Sequence, residues 1–333
     1  MNGPLWAVTS YYNPAGYQRR KANYRLFRER LPLPLLTVEW SPTGEFELRP
    51  GDADMLVQLS GGDVMWQKER LLNIGVGRLP PQCTHVAWVD CDLVFEREDL
   101  GDAVLAALET APLVQLYDRV AHLAPTPLDA LTRPANCTTG PVLFEREGAA
   151  SAHGAAARAC RPSPLSVTFQ DHDHLGTKPS VGFAWAARRQ LLERHPLFDE
   201  WVIGGGDSAY FYAAAGMPEQ VIRNHVLADT HRDDFLPRAR ALANAIAGRI
   251  GHVPGRLYAL WHGKLEDRRY RSRYSILAKH AFDPQRFLQR SASDVWEWSG
   301  APHGLPDEIR DYFHQRKEDG PIPGVSLESA EPR

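Results

Sequence analysis

The segment His85-Val86-Ala87-Trp88-Val89-Asp90-Cys91-Asp92-Leu93-Val94-Phe95 constrains this chain more than any other. Mostly apolar residues run straight into two carboxylates set one residue apart, and apolar residues then resume. A short run rich in Val and Trp predicts a buried strand. Carboxylates are rarely buried unless paired or bound to metal. Asp90 and Asp92 therefore mark where a central strand leaves the core, the usual place for a ligand crevice in an open α/β sheet. In an extended segment, residues i and i+2 share a face. Both carboxylates are then expected to face one hard cation, Mg²⁺ or Mn²⁺ rather than Zn²⁺, able to neutralise a diphosphate. The plain alternative is that Asp ends strands because it favours turns and caps.

The flanking sequence alternates strands with helices. Leu5–Ser10 reads as a first buried strand, and Tyr11–Gly16 as a turn. A basic helix is predicted over Tyr17–Leu31, with Tyr17, Tyr24 and Phe27 facing the core and its arginines on a solvated face or, alternatively, placed to attract phosphates. Leu35–Trp40 and Met55–Leu59 are further apolar runs, and a helical pattern follows over Met65–Gly75. It carries Gln67, Lys68, Arg70 and Asn73 as donors that suit a nucleotide or phosphate. Glu98–Thr110 is amphipathic and Leu113–Tyr117 is strand-like. This alternation predicts a layered α/β fold.

The 333 residues suffice for one large or two modest domains. The formal net charge of −3 offers no basic field for nucleic acid. No apolar run is long enough to span a bilayer, so no transmembrane segment is expected. Met1–Ser10 lacks the pattern of a secretion signal. Cys83, Cys91, Cys137 and Cys160 form no Cys-x-x-Cys pair, so reduced cysteines in a cytoplasmic protein are expected.

Residues 118–180 lose the alternation and read as a loose, variable segment. Asp171, His172, Asp173 and His174 lie within it, and surface loops collect such residues without binding metal. Order returns with a strand over Val181–Ala187, a short helix over Arg188–His195 and a helix over 234–250. Between them, Gly204-Gly205-Gly206-Asp207-Ser208 gives a turn whose glycines allow close backbone approach. Asp207 is placed there at a helix start, as an N-cap, a functional carboxylate or both. Leu257–Trp261 ends in His262, a candidate ligand or acid/base. The basic run after it, Arg268 included, suits a pyrophosphate or begins a solvated helix. Residues 317–333 are rich in Pro and charge and predict a disordered tail.

In order, Asp90-Cys91-Asp92, Gly204-Gly205-Gly206-Asp207-Ser208 and Trp261-His262-Gly263 resemble the motifs of GT-A nucleotide-sugar glycosyltransferases. The likeness is to the galactosyltransferase and polypeptide N-acetylgalactosaminyltransferase group. It spans most of residues 5–275 as a skeleton of short motifs. It implies a GT-A-like (Rossmann-like) α/β fold in one large domain, with a mixed, mainly parallel sheet flanked by helices. A donor-binding half over 1–117, the variable segment 118–180 and an acceptor-binding, catalytic half over 181–316 would follow. The same resemblance implies Asp92 and His262 as ligands of Mn²⁺ or Mg²⁺, Asp90 on the metal or the donor ribose, and Asp207 as base. Thr9, Tyr11, Gln67 and Lys68 fall where such folds contact the nucleotide. The partners implied are a nucleotide-sugar donor, most simply a UDP-sugar, and a carbohydrate or other hydroxyl-bearing acceptor. Gly206 departs from the family, which has Glu there.

Two other classes fit parts of the pattern. Asp90-Cys91-Asp92-Leu93-Val94 also matches the nucleophile motif of haloacid-dehalogenase-like phosphatases, with Asp90 forming an aspartyl-phosphate. That class places the motif after its first strand and wants a second Asp where Phe211 stands. A non-catalytic carbohydrate- or nucleotide-binding module is the third reading.

Overall fold

Strand β1 (Leu5–Tyr12) is buried along its whole length and sits inside the main sheet. The computed structural model describes residues 3–127, 141–158, 178–270 and 272–320. After β1 come α1 (Gln18–Arg30), β2 (Leu35–Ser41), β3 (Met55–Ser60), α2 (Lys68–Arg78), β4 (His85–Val89), β5 (Leu93–Phe95), α3 (Leu100–Thr110) and β6 (Leu113–Gln115). Next are β7 (Arg119–Leu123), β8 (Val142–Glu147), α4 (Ala149–Arg158), β9 (Ala184–Arg188), α5 (Arg189–Arg194), α6 (Gly206–Ala214), α7 (Pro218–His225) and α8 (Asp229–Ile246). The chain continues through β10 (Ile250–His252), β11 (Arg256–Ala259), a single 3₁₀ turn (Glu266–Arg268), α9 (Tyr274–Lys279), α10 (Pro284–Phe287), β12 (Leu288–Arg290), β13 (Trp296–Trp298) and α11 (Leu305–Gln315).

The main sheet has seven strands in the order β10-β6-β9-β4-β1-β2-β3. Only β9 runs antiparallel to its neighbours, β4 and β6. A second sheet, β5-β11-β7-β8, and a β12-β13 hairpin complete the strands among the described residues. This is the layered α/β architecture expected from the alternation of apolar runs, with the mixed, mainly parallel sheet that the resemblance implies.

The period of two along the central strands divides the core between the two faces of the sheet. Trp6 and Val8 of β1, with Val86 and Trp88 of β4, join Leu71 and Leu72 of α2 on one face. Leu5, Ala7, Ala87 and Val89 join Tyr24 and Phe27 of α1 on the other. Helix α2 lies very close to the sheet. A Cβ at Gly75 would stand 2.5 Å from Val8 Cγ1, so only glycine permits this approach. The closeness matters because α2 carries Lys68 and Glu69 in its first turn.

Several boundaries differ from expectation. Tyr11 and Tyr12 continue β1 rather than turning, because they pair with Glu39 and Trp40 of β2 and are buried. The stretch 118–180 holds β7, β8 and α4 among its described residues; Asp171–His174 lie outside them. Helix α8 begins earlier than 234 and ends at Ile246, where Ala247 and Gly248 take left-handed backbone and release Ile250 into β10. Among the described residues no helix is long and apolar enough to cross a membrane.

Candidate functional site

The site forms where β4 ends. Asp90-Cys91-Asp92 is a bend between β4 and β5, not a continued strand. The two carboxylates accordingly part company instead of sharing one face. Asp90 turns toward α2, where Lys68 Nζ lies 2.6 Å from its Oδ1. Asp92 turns toward the end of β11, where its Oδ2 is 3.5 Å from His262 Nδ1.

Lys68 is the hub of the first group. Its ammonium also donates to Asp207 Oδ1 at 2.7 Å, joining residues 139 positions apart. Burial alone depresses an ammonium's pKa; Asp207 and Asp90 outweigh it and hold Lys68 well above its ordinary value. Asp90 is pushed up to about 7 by burial first, against the pull of the Lys68 ammonium, with the charges of Asp207 and Asp92 adding to the rise.

Asp207 reaches this position through the glycine turn. The cap of α6 is Gly205, at φ 106, and Asp207 lies in the first turn of the helix. Its carboxylate is therefore not engaged as the N-cap. A Cβ at Gly205 would stand 2.3 Å from the Tyr274 hydroxyl, so the turn requires glycine for space as well as for backbone angle. Gly182 lies beneath, where a Cβ would be 3.2 Å from Asp207 Oδ2. The next residue, Phe183, has φ 77, a strained backbone for an aromatic residue, and its carbonyl accepts from the Asp90 amide at 2.8 Å.

The second group contains Asp92, His262 and Arg268. His262 Nδ1 is 2.7 Å from the Leu260 carbonyl. Its neighbours on that side are acceptors, so Nδ1 carries the proton and Nε2 is the free acceptor. A ring fixed this way is the usual form of a metal-ligating histidine. Arg268 Nη2 donates to the His262 carbonyl at 2.6 Å. Burial raises the pKa of Asp92, opposed by the charges of Arg268 and Arg20.

A metal was implied for Asp90, Asp92 and His262. Among the described residues no three such side chains gather as a metal site, because Asp90 is held by Lys68. Asp92 and His262 lie side by side with Nδ1, not Nε2, turned to the carboxylate, so a hard cation shared by the two requires the imidazole ring to turn.

Three residues associated with the nucleotide have their polar atoms engaged inside the protein. Thr9, fully buried, donates to the Val89 carbonyl at 2.7 Å and pins β1 to the end of β4. The Tyr11 hydroxyl donates to Glu47 Oε2 at 2.7 Å. Gln67 clamps the Trp296 backbone from both sides, donating at 2.8 Å and accepting at 3.0 Å.

No protein-family model matches the chain, and no curated protein matches it. Solved structures similar to it include TarS (residues 1–349) of S. aureus, at 11% identity over 74% of this chain and 73% of that one, with a TM-score of 0.34. The same TarS segment in complex with UDP is similar at 13% identity over 64% of this chain and 54% of that one, TM-score 0.34. A 4-diphosphocytidyl-2C-methyl-D-erythritol synthase from Anaerococcus prevotii is similar at 10% identity over 75% and 86%, TM-score 0.31. These likenesses are distant, and the site's own geometry carries the functional reading.

Sequence reasoning passed over Glu69. Its position beside Lys68 gave no signal, since adjacent residues on a helix surface face apart. In the fold, its carboxylate fills the space above Gly206, where a Cβ would lie 2.4 Å from Glu69 Cδ. Any side chain at 206 would displace it. Glu69 Oε1 is buried without a hydrogen-bond partner, facing a small cavity bounded by Trp185, Tyr210 and Phe211. Burial first, then the charge of Asp207, pushes its pKa up to about 8.

The folded protein thus keeps a proton on Glu69 up to about pH 8, whereas the unfolded chain releases it near the ordinary glutamate value. Between those limits the folded state binds more protons, so stability falls as pH rises. Glu69→Gln removes this dependence. Urea denaturation from about pH 5 to about pH 9 is expected to show the variant gaining on the wild type by at least ~1 kcal/mol. Parallel pH profiles for the two proteins would refute the buried, protonated state.

Proposed function

We propose that the protein is a metal-dependent glycosyltransferase that moves a sugar from a nucleotide diphosphate, most simply a UDP-sugar, to an acceptor hydroxyl. The observation that carries this reading is the Lys68 ammonium set between Asp90 and Asp207, 2.6 and 2.7 Å away, beside the Asp92–His262 pair at the end of β4. A base and a diphosphate-neutralising group belong on either side of a transferring sugar.

Asp207 is the base in this reading. It takes the acceptor hydroxyl proton as the sugar's anomeric carbon moves to that oxygen with inversion. Lys68 fixes the orientation of Asp207 and supplies its counter-charge. Asp90, tied to the same ammonium, is left to the donor ribose more than to a metal. Asp92 and His262 would hold Mn²⁺ or Mg²⁺, which when bound supplies Lewis-acid neutralisation of the departing diphosphate. Arg268, beneath His262, adds positive charge on the same side.

Calorimetric titration with UDP and GDP, with and without Mn²⁺, tests the donor half. Binding that requires Mn²⁺ is the expected result. Absence of binding for both nucleotides in the presence of Mn²⁺ sinks the reading.

A further inference from the structure

Three guanidinium groups from separate parts of the chain converge on one carboxylate. Glu318 follows α11, inside the stretch whose composition predicts disorder, yet it is only 1% exposed. Arg20 of α1 grips it with both sides of its fork, Nη2 at 2.8 Å from each carboxylate oxygen and Nε at 3.0 Å from Oε2. Arg316 Nε lies 2.8 Å from Oε1, and Arg268 Nη2 lies 3.8 Å from it. Burial opposes ionisation, but the three arginines hold Glu318 down to about 2.

One carboxylate is a poor match for this cage. Each guanidinium carries five N–H donors. The Nε groups of Arg268 and Arg316 are buried with no aligned hydrogen-bond acceptor. Three guanidinium groups on one carboxylate leave a surplus of positive charge, which Arg268 brings to His262, where its Nη2 donates to the backbone carbonyl at 2.6 Å. An anion with more charge and more acceptor oxygens than a carboxylate suits the cage better, and a diphosphate has both.

The hold on Glu318 is polar rather than apolar. Between Arg316 and Gly320 the chain contains no apolar side chain. The Asp319 carboxylate accepts from the Gln18 and Arg19 amides at 3.1 and 2.8 Å, at the start of α1. The Lys317 amide donates to the Tyr17 hydroxyl at 3.0 Å. The segment passes directly over Trp261 and Gly263; a Cβ at Gly263 would lie 2.9 Å from the Arg316 carbonyl. It is a strap held by charge, and an anion can compete with it.

We propose that Arg20, Arg268 and Arg316 form the binding site for the donor's diphosphate, and that Glu318 is its resident stand-in, displaced together with the strap Lys317–Gly320 when the diphosphate enters. The inference rests on the nucleotide-diphosphate reading for its ligand, but the cage can be probed without a nucleotide.

The full-length protein and its Glu318→Gln variant would be titrated with inorganic pyrophosphate, UDP and uridine in the presence of Mg²⁺. The variant is expected to bind pyrophosphate and UDP at least about fivefold more tightly, since it lacks the internal competitor, and to gain nothing for uridine. Asp319→Asn loosens the strap without touching the cage and is expected to shift pyrophosphate affinity in the same direction. It serves also if Glu318→Gln does not fold. Arg20→Gln is expected to weaken pyrophosphate binding. Pyrophosphate affinity that neither strap variant improves, or no pyrophosphate binding at all, overturns the proposal, even where UDP binds. Tighter pyrophosphate binding without any UDP binding leaves the cage standing and removes the nucleotide reading instead.

Discussion

Asp207→Asn is expected to lower sugar transfer by about 10²–10⁴-fold while leaving nucleotide affinity unchanged, the range for loss of a positioned general base. The fold has reason to tolerate the change. The cap of α6 is Gly205, so no capping bond is lost. Asn retains an oxygen to accept from Lys68, and Lys68 keeps its second partner, Asp90. The two halves of the prediction come from separate groups: the proposed metal ligands Asp92 and His262 pair with each other, whereas Asp207 pairs with Lys68. Transfer rates measured alongside UDP calorimetry check both. Full transfer activity in the variant removes the base assignment, whereas a parallel loss of UDP binding means that Asp207 belongs to the donor side.

Lys68→Met is expected to destabilise the folded protein by about 3 kcal/mol near neutral pH, at the low end of the range for breaking a buried ion pair. The cost falls at the low end because the Asp90 and Asp207 side chains are each 26% exposed, and water screens part of it. Without the ammonium, Asp90, Asp207 and Glu69 face one another with no cation between them. The pKa values of Asp90 and Glu69, already raised in the folded state, then rise further above the unfolded ones, so stability lost at high pH is recovered as pH falls through them. Urea denaturation at about pH 8 and about pH 5 is the check, with a smaller deficit expected at the lower value. Wild-type stability at the higher pH would show that Lys68 neutralises nothing that matters to the fold.

Both predictions turn on one lysine. Lys68 was legible as a donor near the start of a helix. Its partners were not, because ion pairs across 139 positions depend on how α2 packs on the sheet, and that packing depends on Gly75 lying against Val8. Glu69 escaped notice for the same reason. A carboxylate that fills the space above a glycine has no signature in periodicity or composition.

Local pattern by itself determined the strand–helix alternation, the exit of β4 at Asp90, the glycine turn before Asp207 and the end of an apolar run near His262. These follow from short-range rules: apolar runs bury, carboxylates stop them, and glycine takes left-handed turns without strain. Tertiary structure alone decided which charges meet. It separated Asp90 from Asp92 by bending the chain after Val89, and gave Thr9 and Gln67 backbone partners. It also drew Glu318 out of a stretch that composition reads as disordered, into contact with Arg20 and Arg316. The physical reason is that a charge cluster's energy depends on distance and burial, and neither is set until distant segments of the chain pack together.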